Sequence, residues 1–93
     1  MGLEELRGAR RVVGFRETQR AIERGRAKKV FVALDVDETL REAVVALARA
    51  KNIPLEYVPS AQELGRVCGI EVRSSCAAIV EEDGYANRKS IGP

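Results

Sequence analysis

The chain has 93 residues, of which 45% are hydrophobic and 32% are charged, and it contains no histidine. This length fits one domain with a single modest core, because so short a chain buries only about 60% of the surface that its unfolded form exposes. The lack of histidine removes the commonest general base and most zinc sites. No apolar run approaches the ~20 residues that a membrane-spanning helix needs, so we predict a cytoplasmic domain without a membrane partner.

Charge is distributed unevenly along the sequence. Residues 1–30 carry nine basic and four acidic side chains, a net charge of +5, whereas residues 31–93 carry seven basic and ten acidic ones, a net charge of −3. A one-sided basic surface is typical of proteins that bind a polyanion such as nucleic acid. A solvated helix face is the ordinary alternative, and charge alone does not separate the two.

The first third of the sequence predicts two helices and then a central strand. The apolar positions of the first helix recur at helical spacing: Leu3, Leu6, Ala9 and Val13. Val12 and Val13 at its end also fit a short edge strand. A second helix is expected over residues 16–24, with Gly25 as its C-terminal stop. The nearly unbroken apolar run at residues 30–36 predicts a strand that is covered on both faces.

The next elements are a helix and a strand. Thr39 with Glu42 three residues later forms a capping box, which predicts a helix that begins there and ends near Asn52. Pro54 prevents the helix from continuing. Residues 55–58 predict the following strand.

A second capping box, Ser60 with Glu63, predicts a short helix, and the small apolar residues 76–80 predict the last strand. Helices that alternate with strands at these spacings predict an α/β fold, namely a three-layer α/β/α sandwich with a mixed, roughly four-stranded sheet. We expect residues 1–83 to form this single domain and residues 84–93 to form a polar, mobile tail.

Two side-chain classes limit the chemistry further. Cys68 and Cys76 have no histidine beside them to complete a metal site, and we predict buried free thiols rather than a disulfide. Aromatic residues are few, and Phe31 and Tyr57 are expected in the core. The surface therefore lacks a stacking platform of the kind that RRM domains and OB-folds use for RNA.

The segment DVDET at residues 35–39 follows the predicted central strand. It resembles the DxDxT motif of haloacid-dehalogenase-type phosphatases, in which the first aspartate is a nucleophile, the second is a general acid and base, and magnesium balances the charge. That family needs a considerably longer chain. We favour the structural alternative, in which Asp35 and Asp37 end the strand and Thr39 caps the next helix, and we predict no enzymatic activity.

The segment GFRETQR at residues 14–20 is the strongest candidate site. Gly14 lets the backbone approach a partner closely, and the start of a helix offers unpaired N–H groups to phosphate. Arg16 and Arg20 lie one helical turn apart, and Glu17 lies next to Arg20. Two guanidinium groups and a carboxylate thus share a surface that can bind base edges, although such a segment by itself is more often a salt-bridged helix face.

The stretch GFRETQRAIERGRAKKVFVALDVDE, followed by NIPLEYVPSAQELGRVCGI, resembles the kink-turn-binding ribosomal-protein family of the L-seven-Ae type, especially its small bacterial members. The most specific parts are the glycine-led helix start, the strand that ends in an acidic pair, and the LGRxCG segment at residues 64–69. The three segments agree with the family in order and spacing, and the resemblance extends over residues 5–80.

The resemblance implies recognition of a sharply bent RNA with tandem sheared G·A pairs and a bulge. The helix start would enter the distorted major groove, which an undistorted A-form helix keeps too narrow for side chains. Gly14 would approach the RNA backbone, Lys28 would contact a phosphate, and the loop after residue 69 would cover the bulged nucleotide. The implied RNA-binding residues are Gly14, Arg16, Glu17, Arg20, Lys28, Ile70, Glu71, Val72 and Arg73.

Three positions depart from the family pattern. Arg16 and Arg20 stand where archaeal and eukaryotic members usually have asparagine and lysine, and Arg73 stands where many members have proline. The implied partner is a kink-turn in ribosomal RNA or in a structured mRNA leader, with the ribosome as a further partner, and we expect a monomer. Neither a metal nor an organic cofactor is implied. A ribosome-associated protein-interaction module that keeps the fold is the alternative function.

Overall fold

A computed structural model of the chain describes residues 9–70 and 72–80. The strands are β1 (Arg11–Val13), β2 (Ala27–Ala33), β3 (Leu55–Val58) and β4 (Cys76–Val80), and the helices are α1 (Phe15–Glu23), α2 (Glu38–Ala50) and α3 (Ala61–Val67). The predicted tail and residues 3–8 of the first predicted helix lie outside the described residues, and the predicted end of that helix is wrong, because Arg11–Val13 form strand β1. None of the described helices is long and apolar enough to cross a membrane.

The four strands form one mixed sheet in the order β1-β4-β2-β3. Strand β4 is antiparallel to both β1 and β2, whereas β3 is parallel to β2. The predicted short edge strand is therefore confirmed, and β2 lies in the interior of the sheet as expected. The first and last described strands are neighbours, so the N-terminal strand joins the sheet only through the last one.

Two clusters of buried side chains cover the two faces of the sheet. On one face, Ile22 of α1 and Val44 and Ala48 of α2 pack against Val30 and Val32 of β2. On the other face, Leu64 of α3 packs against Phe31 of β2. The layers are helix, sheet and helix, which confirms the predicted α/β fold.

Strand β2 differs from the predicted strand by three residues, because it covers Ala27–Ala33 instead of residues 30–36. At its end, the pairing with β3 stops where Ala33 faces Val58, and the next residue, Leu34, is 49% exposed. At its start, charged residues are accommodated, since Lys29 forms an ion pair with Glu56 at 2.9 Å. The extension of the apolar run past Ala33 caused the error.

The predicted core position of Tyr57 is also wrong, whereas that of Phe31 is right. Phe31 is completely buried, but Tyr57 is 46% exposed. Tyr57 lies on β3, which is an edge strand of the sheet. Side chains on an edge strand have neighbours on one side only, so the helices cover them less completely.

The caps of α2 and α3 differ in how well the sequence predicted them. The N-cap of α2 is Asp37, whose Oδ2 accepts hydrogen bonds from the N–H groups of Thr39 at 3.0 Å and Leu40 at 3.3 Å. The predicted cap at Thr39 is therefore wrong, because the N-cap lies two residues earlier, at Asp37, and the helix begins at Glu38. The predicted cap of α3 is confirmed, since Ser60 Oγ accepts from the N–H of Glu63 at 3.1 Å.

Both cysteines are free and buried, as predicted. Burial raises the pKa of the Cys68 thiol above its usual value, and the charge and hydrogen bond of Arg11 offset part of that rise. Burial also raises the pKa of Cys76. The Arg11 guanidinium donates to the backbone oxygen of Cys68 at 2.9 Å, which connects β1 to the end of α3.

The cap of α2 gives a stability test. We expect Asp37→Ala to lower the free energy of unfolding by about 1 kcal/mol, because two N–H groups of the first turn lose their acceptor. Thr39→Ala is the matched control and should change it by less than about 0.5 kcal/mol. Urea unfolding followed by circular dichroism measures both. A larger loss of unfolding free energy for the Thr39 variant than for the Asp37 variant would indicate that Thr39 is the N-cap.

Candidate functional site

Several backbone hydrogen bonds bring four loops to one end of the sheet. The N–H of Gly14 donates to the carbonyl of Cys76 at 2.8 Å, and the N–H of Ala33 donates to the carbonyl of Ser75 at 2.9 Å. The N–H of Leu34 donates to the carbonyl of Val58 at 2.8 Å. The start of α1, the loop after β2, the loop after β3 and the loop before β4 therefore meet there.

Gly14 precedes α1 and has a backbone conformation that L residues rarely adopt, with φ of +99°. A Cβ at this position would meet no atom within 4 Å, so the backbone and not the packing requires glycine. The position provides no side-chain cap for α1. Asp37 and Ser60 cap the other two described helices, which leaves the first N–H groups of α1 as the ones available to an external acceptor.

The side chains of α1 divide into a buried face and a charged face. Thr18, Ala21 and Ile22 are buried. Arg16, Glu17 and Arg20 are exposed, as the sequence predicted. The Nη1 of Arg20 lies 3.4 Å from the Oε2 of Glu17, with both side chains about half exposed.

Arg24 extends the charged face and was not among the predicted site residues. It is the exposed C-cap residue of α1, four residues after Arg20 and eight after Arg16. Among the described residues, the guanidinium groups of Arg16 and Arg24 have no partner. Spacings of four residues place the three arginines along one side of the helix, and the same spacing that identified Arg16 and Arg20 could have identified Arg24.

Lys28 lies apart from the predicted site residues around Gly14. It is exposed near the start of β2, where Ala27 pairs with Val80 at the other end of the sheet. At about 3.3 Å per residue, Lys28 is roughly 16 Å along the strand from Ala33. Helix α1 connects the two ends, so the arginines of α1 lie between Gly14 and Lys28.

The loop between α3 and β4 is held against α3 at both of its ends. The N–H of Ile70 donates to the carbonyl of Gly65 at 3.1 Å, and the N–H of Ser74 donates to the carbonyl of Ala61 at 3.0 Å. The backbone of Val72 passes so close to Gly65 that a Cβ there would overlap the Val72 carbonyl. The side chain of Val72 is 68% exposed. Glu71 lies outside the described residues.

Asp35 joins three parts of the site. Its Oδ1 accepts from the N–H of Ala61 at 2.8 Å, and its Oδ2 accepts from Nη2 of Arg73 at 3.2 Å. The loop after β2, the start of α3 and the loop before β4 therefore share one carboxylate. Sequence reasoning considered Asp35 as a nucleophile or a strand end and missed this role, because its partners lie 26 and 38 residues away.

Neither aspartate of the DxDxT-like segment has the surroundings of a metal-dependent nucleophile among the described residues. Asp35 accepts from Ala61 and Arg73, and Asp37 caps α2. In the part of the chain that the structure describes, no three acidic or thiol groups are arranged to hold a metal ion. The positions of these carboxylates are thus explained by the hydrogen bonds that they accept.

Residues 4–88 match the model of the Ribosomal protein L7Ae/L30e/S12e/Gadd45 family. The chain is 36% identical over 75 residues to an RNA-binding protein of Geobacillus sp. (strain WCH70), a match that covers 81% of this chain and 92% of that protein. It is 37% identical over 75 residues to an RNA-binding protein of Geobacillus kaustophilus (strain HTA426), again covering 81% and 92%.

Two solved structures have a similar fold. The Giardia lamblia 15.5kD RNA binding protein superimposes with a TM-score of 0.76 and 24% identity, covering 96% of this chain and 76% of that one. A protein with unknown function from Bacillus halodurans C superimposes with a TM-score of 0.72 and 17% identity, covering 88% and 81%. Both similarities are similarities of fold.

The close approach of Val72 to Gly65 gives a second test. We expect Gly65→Ala to force the loop away from α3 and to lower the free energy of unfolding by about 1 to 3 kcal/mol, because the added methyl group has no space. NMR should show shifted amide signals for residues 72–74. Gly25→Ala adds the same methyl group where no atom lies within 4 Å; its φ of +70° makes that variant lose stability through backbone strain, but it should leave those loop signals in place. Unchanged loop signals in the Gly65 variant would contradict this packing.

Proposed function

Because this chain belongs to the ribosomal protein L7Ae/L30e/S12e/Gadd45 family, as its resemblance predicted, we propose that it binds RNA and that its target is a kink-turn with sheared G·A pairs and a bulge. The observation that carries the proposal is the uncapped start of α1 at Gly14, beside the loop before β4 and continued by three arginines. The relatives from Geobacillus, which are named as RNA-binding proteins, support the coarser part of it.

The start of α1 provides the contacts that distinguish a kink-turn from a duplex. Its free N–H groups and the positive end of its dipole attract a phosphate, and the missing side chain of Gly14 leaves room for the RNA backbone. Arg16 and Arg20 donate to guanine O6 and N7 or to flanking phosphates, and Glu17 accepts from an exocyclic amine. An ordinary A-form major groove is too narrow for such contacts, whereas the kink opens it.

The ion pair between Arg20 and Glu17 does not prevent these contacts. It is long, at 3.4 Å, and exposed, and pairs of this kind contribute only about 0 to 1 kcal/mol. The ion pair can therefore break at little cost in free energy, and each side chain can then bind a base edge instead. The helix itself keeps the two groups about one turn apart on the same side of α1 in the free protein.

The loop before β4 forms the second contact. Ile70 and Val72 provide an apolar surface for the bulged nucleotide, and the exposure of Val72 is consistent with a partner in that position. Asp35 holds the Arg73 guanidinium at the edge of this surface. We propose a kink-turn in ribosomal RNA or in a structured mRNA leader as the natural target, with the ribosome as a place of action.

Arg24 and Lys28 extend the proposed contact along α1 toward the other end of the sheet. Both are exposed, and their positions beyond Arg20 suit phosphates of the stem that follows the kink. Contacts of this kind position the RNA and carry no sequence information. Their contribution should therefore depend on salt and be similar for a kink-turn and for a duplex.

The base contacts give a test of specificity. We expect Arg20→Ala to weaken binding of a kink-turn RNA by about 1 to 3 kcal/mol, because a guanidinium that donates to base edges is lost. Binding of a plain duplex of the same length should change much less. Fluorescence anisotropy at fixed salt measures both, with Arg49→Ala on α2 as the matched charge control. Equal affinity of the unmodified protein for kink-turn and duplex would exclude kink-turn recognition.

The phosphate contacts give a test of salt dependence. We expect Lys28→Ala to weaken binding of all RNAs and to reduce the slope of log Kd against log salt by about 1, because one phosphate contact releases about one counterion. Lys51→Ala removes an exposed lysine at the end of α2 and serves as the control. The same slope change in both variants would show that Lys28 acts only through net charge.

A further inference from the structure

A crevice of about 150 Å³, which we call the arginine crevice, lies between the C-terminal half of α1 and the strands β1 and β4. Its volume is well below the range of about 300 to 1,000 Å³ that small-molecule sites occupy, so it has room for a small charged group and not for a nucleotide. Three of the described lining residues are apolar and three are arginines: Val12, Ala21, Val80, Arg20, Arg24 and Arg26.

The turn that follows α1 holds the three arginines together. Arg20 and Arg24 lie one helical turn apart at the end of α1. Gly25, with φ of +70°, ends the helix, and the N–H of Arg26 donates to the carbonyl of Ala21 at 2.9 Å. Arg26 is thereby folded back beside the last turn of α1. One short segment of the sequence thus brings three guanidinium groups to the same crevice.

Positive charge exceeds negative charge in the arginine crevice. Among the described residues, Glu17 is the only acidic one that lines it, and its carboxylate already lies 3.4 Å from the guanidinium of Arg20. The guanidinium of Arg24 has no partner in the part of the chain that the structure describes. A guanidinium group pairs with a carboxylate or a phosphate through two parallel N–H···O bonds. The crevice therefore suits an added carboxylate or phosphate group.

The residues that follow β4 in the sequence are acidic. Val80 is the last residue of β4 and lines the crevice, and its N–H donates to the carbonyl of Arg10 at 3.0 Å. Glu81, Glu82 and Asp83 come directly after it, and this acidic segment lies outside the described residues. Three residues reach at most about 11 Å along the chain. The covalent connection alone therefore keeps the three carboxylates near the arginines.

We propose that the acidic segment binds the arginine crevice in the free protein and competes there with the phosphates of RNA. Because the segment is joined to a lining residue, its effective concentration at the crevice is on the order of millimolar, which a free anion must exceed. The competition rests on the proposed function, since Arg20 and Arg24 belong to the proposed RNA contact. The binding of the segment to the crevice does not.

The competition lowers the affinity for RNA without abolishing it. Ion pairs between exposed side chains are weak, so the phosphates of a bound RNA can replace the carboxylates. Every RNA that contacts Arg20 and Arg24 has to displace the same segment. The affinities for a kink-turn and for a plain duplex are therefore reduced by a similar factor, and an RNA without the base contacts of a kink-turn is the first to lose its binding.

The first experiment examines the protein without RNA. The neutral-segment variant, Glu81→Gln/Glu82→Gln/Asp83→Asn, removes the three carboxylates. We expect the Nε–Hε NMR signal of Arg24 to shift in this variant and that of Arg49 on α2 to stay in place. Salt screens exposed ion pairs, so raising the salt concentration should move the Arg24 signal of the unmodified protein toward that of the variant. An identical Arg24 signal in both proteins at low salt would overturn the proposal.

The second experiment measures RNA affinity by fluorescence anisotropy at low salt. We expect the neutral-segment variant to bind both a kink-turn RNA and a plain duplex roughly three- to tenfold more tightly than the unmodified protein, as for the loss of one or two competing ion pairs. Glu38→Gln/Glu42→Gln/Glu63→Gln is the matched control, because it removes three negative charges from α2 and α3. It should change both affinities less than about twofold.

The outcomes separate this proposal from the proposed function. An equal gain in RNA affinity for the two triple variants would show an effect of net charge only and would overturn the competition, with kink-turn recognition intact. An RNA affinity that is the same in the neutral-segment variant and in the unmodified protein would overturn the competition as well. Equal affinity of the unmodified protein for kink-turn and duplex would exclude kink-turn recognition, and a shifted Arg24 signal would still support binding of the acidic segment.

Discussion

The insertion of β4 between β1 and β2 is the constraint on which the candidate site depends. Strand β1 has no other partner in the described sheet, and Gly14 at its end is bonded to the first residue of β4. Cys76, Ala77 and Ala78 of β4 are fully buried. Their small side chains let helices pack closely on both faces. The same strand therefore positions the start of α1 and ends the loop that faces it.

The sequence predicted the type and order of the elements well, because their signals are local. The cap at Ser60 and the strand at β3 depend on neighbouring residues and were placed correctly. The limits of β2 depend instead on where the partner strand ends at Val58, which an apolar run does not indicate. Asp37 and Thr39 are both good caps, and local chemistry alone does not choose between them.

The candidate site was predictable where it lies on one helix and not where it joins distant segments. The shared surface of Arg16 and Arg20 follows from helical spacing, and the family resemblance favoured it as a binding site over a salt-bridged helix face. The role of Asp35 does not, because its carboxylate connects Ala61 and Arg73 across two intervening elements. The position of Lys28 was also missed, since a basic segment does not reveal which residues lie at opposite ends of a strand. Knowing the fold class is thus not enough to tell which of these charged side chains lie near one another in the structure.

The order of the strands has a consequence for biosynthesis. Because β1 and β2 are joined only through β4, an emerging polypeptide cannot complete the sheet until residues 76–80 have left the exit tunnel. Pairings between segments so distant in the chain close large loops and form late in folding. The start of α1 and the loop before β4 therefore reach their described positions only after β4 has joined the sheet. A partly synthesised chain lacks the arrangement on which the proposed RNA contact depends.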